Sequence, residues 1–248
     1  MLEARLVRMA EKFWVAAKHL ERQFPRDVES AIAWSVPLFI VRVPRLWVHD
    51  VEGYLRQRQL PTVSAAADRP LHGCVIAIRG KGLIFADGSD EIRELRFTLA
   101  HEVAHFLLDY QGPRQRAIER LGPQIEDVLD GQRQPRPEER VDGLLANCPL
   151  GVYAHFMHRV GGEIASEEVL EAESQADLLA FELLAPEAEV WAAVPKDFSR
   201  RPFARRVASL HRLLTRRFGL SRCAAAKYST LLCRSRFGGP SVREWLGM

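Results

Sequence analysis

Apolar positions recur with helical spacing over most of this chain and with strand character in a few short stretches. Leu2, Leu6, Met9, Phe13, Ala16 and Leu20 fall on one face of an amphipathic helix over residues 1–22. Asp27 stands as N-cap of a second, short helix. Residues 37–43 are apolar and β-branched, hence a strand, closed by Pro44. Residues 48–59 return to helix before Pro61, and 62–70 form a polar, Ala-rich connection. Residues 73–79 and 83–86, joined through Gly80-Lys81-Gly82, read as a β-hairpin. Asp90 is placed to cap the helix that follows. In that helix Ile92, Leu95, Leu99, Val103, Phe106 and Leu107 keep helical spacing until Gly112-Pro113, a stop signal.

Beyond Tyr110 the pattern changes. Residues 111–142 are rich in proline and charge, with a helix predicted at 114–130, and 143–160 turn apolar again before Gly161-Gly162. The span 111–165 reads as an insertion that partly packs back. A second strong helix opens at Ser166 with an acidic first turn and stops at Pro186, and residues 187–194 form another short one. Residues 200–236 hold 11 Lys/Arg and no Asp or Glu, on two helical stretches separated by Gly219, the outline of a helix-turn-helix. The pattern predicts an α+β fold: a small antiparallel or mixed sheet packed on the 92–110 helix and on the 166–185 helix, with a mainly helical C-terminal part. It divides into an N-terminal helix (1–27), a central domain (28–195) carrying the insertion, and a basic C-terminal segment (196–248).

Composition narrows the setting. Hydrophobic content of 47% and charged content of 27% in 248 residues suit a soluble globular chain, and a net charge of +3 says little about partners. No apolar run reaches the length of a membrane span, and the first residues lack a signal core. Cys74, Cys148, Cys223 and Cys233 are scattered without a C-x-x-C pair, which fits free, mostly buried thiols in a reducing cytoplasm.

The candidate chemistry sits at His101-Glu102-Val103-Ala104-His105, an H-E-x-x-H. On a helix, residues four apart share a face, so both imidazoles can reach one zinc ion. Glu102 falls beside them as general base. The surrounding helix is apolar nearly all round, and two buried histidines with a glutamate need partners, which a metal supplies. A catalytic zinc takes three protein ligands. The third is expected from the 166–185 helix, with Glu173 the best candidate and Glu168, Glu171 and Asp177 as rivals. Asp177, one turn beyond Glu173, can instead accept the outer N–H of a ligating histidine. Tyr110, Tyr153, His155 and His158 are candidate donors to a developing oxyanion.

Two stretches carry a family resemblance. Arg96-Phe-Thr-Leu-Ala-His-Glu-x-x-His-Phe-Leu-Leu108 resembles the core of the ImmA/IrrE zinc metallopeptidases. Glu173-x-x-Ala176-Asp177-x-x-Ala180-x-x-Leu183-Leu184-x-Pro186 is similar to that family's second helix. The resemblance covers roughly residues 28–110 and 166–195 and leaves the 111–165 span outside. It implies a gluzincin-like site with His101, His105 and Glu173 on Zn2+ and Glu102 as base. It also implies a peptidase acting on a protein, in particular a helix-turn-helix repressor. The alternative is a DNA-associated regulatory or toxin-like protein that uses the zincin-like domain for binding or sensing. Nucleic acid could meet the 200–236 segment, although its second helix offers a groove little beyond Arg222 and Lys227; no membrane partner is expected.

Overall fold

The computed structural model describes residues 3–20, 23–61, 67–137, 139, 148–159 and 166–240. The fold is α+β, as the pattern predicts, with helices on both faces of a four-stranded mixed sheet.

The elements are α1 (Ala4–Ala16), α2 (Val28–Ser35), β1 (Leu38–Val43), α3 (Val48–Gln57), β2 (Leu71–Ile78), β3 (Lys81–Asp87) and α4 (Ile92–His105). They continue with α5 (Gly112–Leu121), the short α6 (Glu126–Leu129), β4 (Tyr153–His158), α7 (Glu167–Leu184), α8 (Glu187–Ala192), α9 (Phe203–Arg216) and α10 (Arg222–Phe237). The sheet runs β1-β3-β2-β4, with β1 parallel to β3 and the other pairs antiparallel.

Alternation along the strands sorts the side chains to the two faces. Val75, Ala77, Ile84 and Ala86 join the main core with α1, α2, α4 and α7. Cys74, Ile76 and Phe85 point the other way and pack with Val48, Val51 and Leu55 of α3. Gly73 lies where α4 meets β2: a Cβ there would come within 2.5 Å of Thr98 Cγ2, so the close approach of helix and strand depends on the missing side chain.

Asp27 caps α2 as expected, accepting the Ser30 N–H at 3.0 Å. Several local expectations are corrected. The hairpin turns through Arg79 and Gly80, both at positive φ, and Lys81 and Gly82 already belong to β3. Asp90 does not cap α4; its carboxylate takes Arg159 at 2.6 Å and His72 at 2.8 Å, and Glu91 is the N-cap residue without a side-chain bond. Nor does Gly112-Pro113 end the helix. Residues Phe106–Gln111 widen into a π-helical segment that runs straight into α5. Gly112 donates five residues back to the Leu107 carbonyl, which a Cβ at 112 would approach to 2.8 Å, while Pro113 at the first turn of α5 sacrifices no needed bond. The helix predicted at 114–130 is split at Gly122 into α5 and α6.

The largest departure is β4. The 111–165 span contributes an edge strand of the sheet itself, pairing Val75 with His155. The flanking residues 140–147 and 160–165, Gly161-Gly162 among them, lie outside the described residues, as do 62–66 of the polar connection.

The basic segment folds into the same core. Leu210, Leu214, Phe218, Leu220, Ala225, Tyr228 and Leu232 are all buried, and Tyr228 stacks on Phe181 of α7 with centroids 4.4 Å apart. Arg96 of α4 ties the α9–α10 turn to the core, donating to the Gly219 carbonyl at 3.0 Å and to that of Arg26 at 2.9 Å. Cys74, Cys148 and Cys233 are buried as expected; Cys223 is exposed, because it sits on the outer face at the start of α10. Among the described residues no helix is long and apolar enough to cross a membrane.

Candidate metal centre

Helix α4 lies between the sheet and α7, so its polar residues are enclosed. His101, Glu102 and His105 are 2%, 0% and 1% exposed, and nothing but ligands or hydrogen-bond partners can offset that burial. Each histidine has its outer nitrogen committed to a carboxylate. His101 Nδ1 lies 3.1 Å from Asp177 Oδ1, and His105 Nδ1 lies 2.7 Å from Asp109 Oδ2. With the protons held at Nδ1, both Nε2 atoms present bare lone pairs, and they stand 3.1 Å apart.

Helix α7 supplies the opposite wall. Its first turn is capped by Ser166, which accepts the Val169 N–H at 3.3 Å. Glu173 reaches across, with Oε2 3.3 Å from His101 Nε2 and Oε1 3.6 Å from His105 Nε2. These separations approximate the ligand-to-ligand edges of a tetrahedral zinc site, about 3.3–3.4 Å when zinc–ligand bonds are near 2.0–2.1 Å. Two lone pairs facing a half-buried carboxylate are mutually repulsive unless a cation sits among them, so the group could hold a metal ion, and its nitrogen and oxygen donors are of the kind zinc accepts. The rivals Glu168 and Glu171 are exposed on the first turns of the same helix. Asp177 takes the supporting position, its second oxygen bound by Lys227 of α10.

Strand β4 brings His155 into the same cluster: His101, His105, His155 and Glu173 offer donor atoms within 4.8 Å of one another. His155 bridges the two carboxylates, Nδ1 to Glu102 Oε2 at 3.0 Å and Nε2 to Glu173 Oε1 at 2.7 Å. Its ring lies over that of His105, centroids 3.6 Å apart and planes 22° from parallel. A nitrogen lone pair lies in its ring plane, so two stacked imidazoles cannot both aim at one ion. His155 is thereby committed to the two carboxylates. Glu102 Oε2 is thereby occupied, while Oε1 is buried without a partner.

The charges follow from this packing. Burial disfavours the His155 imidazolium, but Glu102 and Glu173 outweigh burial and push its pKa up to about 10. Burial likewise disfavours the Glu173 carboxylate, yet the hydrogen bond and charge of the adjoining His155 imidazolium help hold it well below the usual range. Tyr153 is driven upward by its own burial and by the Asp109 and Glu102 carboxylates, so it stays a neutral phenol. Its hydroxyl donates to Asp109 Oδ2 at 3.2 Å.

No family model matches the chain, and no curated protein matches it.

Of the other candidate donors, Tyr110 and His158 lie elsewhere. Tyr110 is buried with its hydroxyl accepting the Gly80 N–H at 2.8 Å, pinning the hairpin turn to the helix. His158 sits an odd number of residues from His155 and faces the α3 side with Phe156. Sequence reading missed Asp109, whose signal was its i+4 spacing from His105, and the bridging role of His155, for which no local signal existed.

Proposed function

We propose that this chain is a zinc-dependent peptidase, with His101, His105 and Glu173 as metal ligands and Glu102 as general base. The observation that carries the reading is the pair of Nε2 atoms 3.1 Å apart, each with its Nδ1 bound to a carboxylate and both facing Glu173. When bound, zinc supplies a Lewis acid that polarises a carbonyl and lowers the pKa of water toward about 7.

The chain's own residues do the rest. Glu102 is fully enclosed, and its Oε2 is held by His155, which leaves Oε1 as the oxygen free to take a proton from water. The same oxygen returns that proton to the leaving amine. Tyr153 and His155 stand beside the ligands and hold the site carboxylates in place, Tyr153 through Asp109 and His155 through Glu102 and Glu173. Asp109 and Asp177 keep the two ligand imidazoles in one tautomer and one orientation.

A protein substrate, in particular a helix-turn-helix repressor, is the reading the ImmA/IrrE resemblance supports. We assign the chain to the cytoplasm because four cysteines scattered without a C-x-x-C pair suit a reducing compartment. The second reading, a regulator that uses the centre for sensing, draws on the contact between Lys227 of the basic α10 and Asp177.

The deciding experiment measures metal content and cleavage of a quenched-fluorescent peptide library together, for wild type and Glu102→Gln. Zinc in both, with cleavage by wild type alone, supports the peptidase. Zinc in both with cleavage by neither favours the sensor, and no zinc in wild type overturns the centre.

A further inference from the structure

A second site lies on the far side of the π-helical segment from the metal centre. Helices α1 and α5 do not close on each other but leave between them a groove of about 520 Å³. Along α1 it is lined from Arg5 to Ala16, and along the π segment and α5 from Leu107 to Glu119. Each wall therefore runs three helical turns, about 17 Å at 1.5 Å per residue. The floor is apolar, from Met9, Phe13 and Leu107, and Ala16 and Gly112 keep it shallow enough for a backbone to come close.

The rim is cationic. Arg5, Arg8 and Lys12 stand on one stripe of α1 and Arg116 faces them from α5. All four are exposed, and none has an ion-pair partner among the described residues. The single carboxylate in the lining, Glu119, accepts a bond from Gln115 at 3.0 Å. Four unpaired cations held together repel one another, and an anionic partner relieves that repulsion.

We propose that this groove binds an amphipathic acidic helix of a protein partner, its apolar stripe on the floor and its carboxylates on the four cations. Length selects the ligand: a trough three turns long between two helices matches a third helix laid along it, whereas a compact anion would leave most of the apolar floor uncovered. The groove is independent of the zinc reading. It is nevertheless one helical layer from the centre, since Leu107 and Gln111 face it while Asp109, between them, faces His105.

The test uses the full chain and a fluorescent peptide about three to four turns long, with a Leu/Met stripe flanked by glutamates. A scrambled peptide of the same composition, a duplex DNA and ATP serve as competitors. The amphipathic peptide should bind and weaken with added salt. Arg8→Glu/Lys12→Glu should lower its affinity at least about tenfold, and a lysine-flanked version of the peptide should bind that variant better than wild type. Circular dichroism of the variant, altered at two exposed positions, should match wild type. Equal binding of the scrambled peptide, unchanged affinity in the variant, no binding of the amphipathic peptide, or displacement of it by ATP or DNA at lower concentration would each overturn the assignment.

Discussion

The ring of His155 covers the ring of His105, centroids 3.6 Å apart, while its two nitrogens reach Glu102 and Glu173. One edge-strand residue thus connects the proposed base to the proposed third ligand. Because the rings are stacked, the connection runs through the carboxylates and not through a shared ion.

That geometry separates two histidine classes. His101→Ala, His105→Ala and Glu173→Ala should each abolish stable zinc binding in chelator competition. His155→Ala should retain zinc within about tenfold of wild type while peptide cleavage falls by roughly 10²–10³, because the base Glu102 loses the group that positions it. Loss of zinc from His155→Ala equal to that from Glu173→Ala would make it a fourth ligand instead.

Asp109 and Asp177 hold the outer nitrogens of the two motif histidines at 2.7 and 3.1 Å. Replacing either by alanine should weaken zinc by about 10–100-fold without unfolding the chain. Unchanged dissociation constants would reduce both to helix-surface acids.

Tyr153 is a neutral phenol hydrogen-bonded to Asp109. Tyr153→Phe keeps the ring and removes the donor, so the cleavage rate should drop while zinc content and melting temperature hold. A wild-type rate in Tyr153→Phe would remove the residue from the site chemistry.

The C-terminal helices are part of the core rather than an appendage. Truncation after Lys196 removes Leu210, Leu214, Phe218 and Tyr228, all buried against the rest of the chain. The shortened protein should lack a cooperative thermal transition. The milder Tyr228→Ala should destabilise by about 3–5 kcal/mol, as for other buried aromatic truncations. A truncated chain with native-like near-ultraviolet dichroism would contradict the shared core.

Asp87 makes a pH prediction away from the metal. Burial would raise its pKa, but bonds from Ser89, Arg159 and the Arg45 and Leu46 amides outweigh burial and hold it at about 2. An unfolded aspartate titrates near 3.9. Its contribution, up to about 2 kcal/mol, is therefore full above roughly pH 5 and is lost as pH falls toward 2. Asp87→Asn should be less stable than wild type at pH 7 and nearly equal at pH 2 in urea unfolding; a constant difference would refute the linkage.

Much of this molecule is written locally. The facing of His101 and His105 follows from i,i+4 spacing, the ends of α7 from Ser166 and Pro186, and the β2–β3 hairpin from two apolar runs around a glycine. Each depends on neighbours within a few residues, where steric and hydrogen-bonding rules act on the chain directly. Tertiary structure alone decided the rest. Strand β4 exists because residues 153–158 find β2 some eighty residues earlier, and His155 enters the site through that pairing. The continuation of α4 through Gly112-Pro113 depends on a π turn that packing favours over the local stop signal. The basic segment reads as a helix-turn-helix outline, and only the folded chain shows Leu210, Leu214 and Tyr228 buried in the shared core, Tyr228 on Phe181 of α7. In each case the deciding energy is burial of apolar surface between segments distant in sequence, which no local spacing encodes.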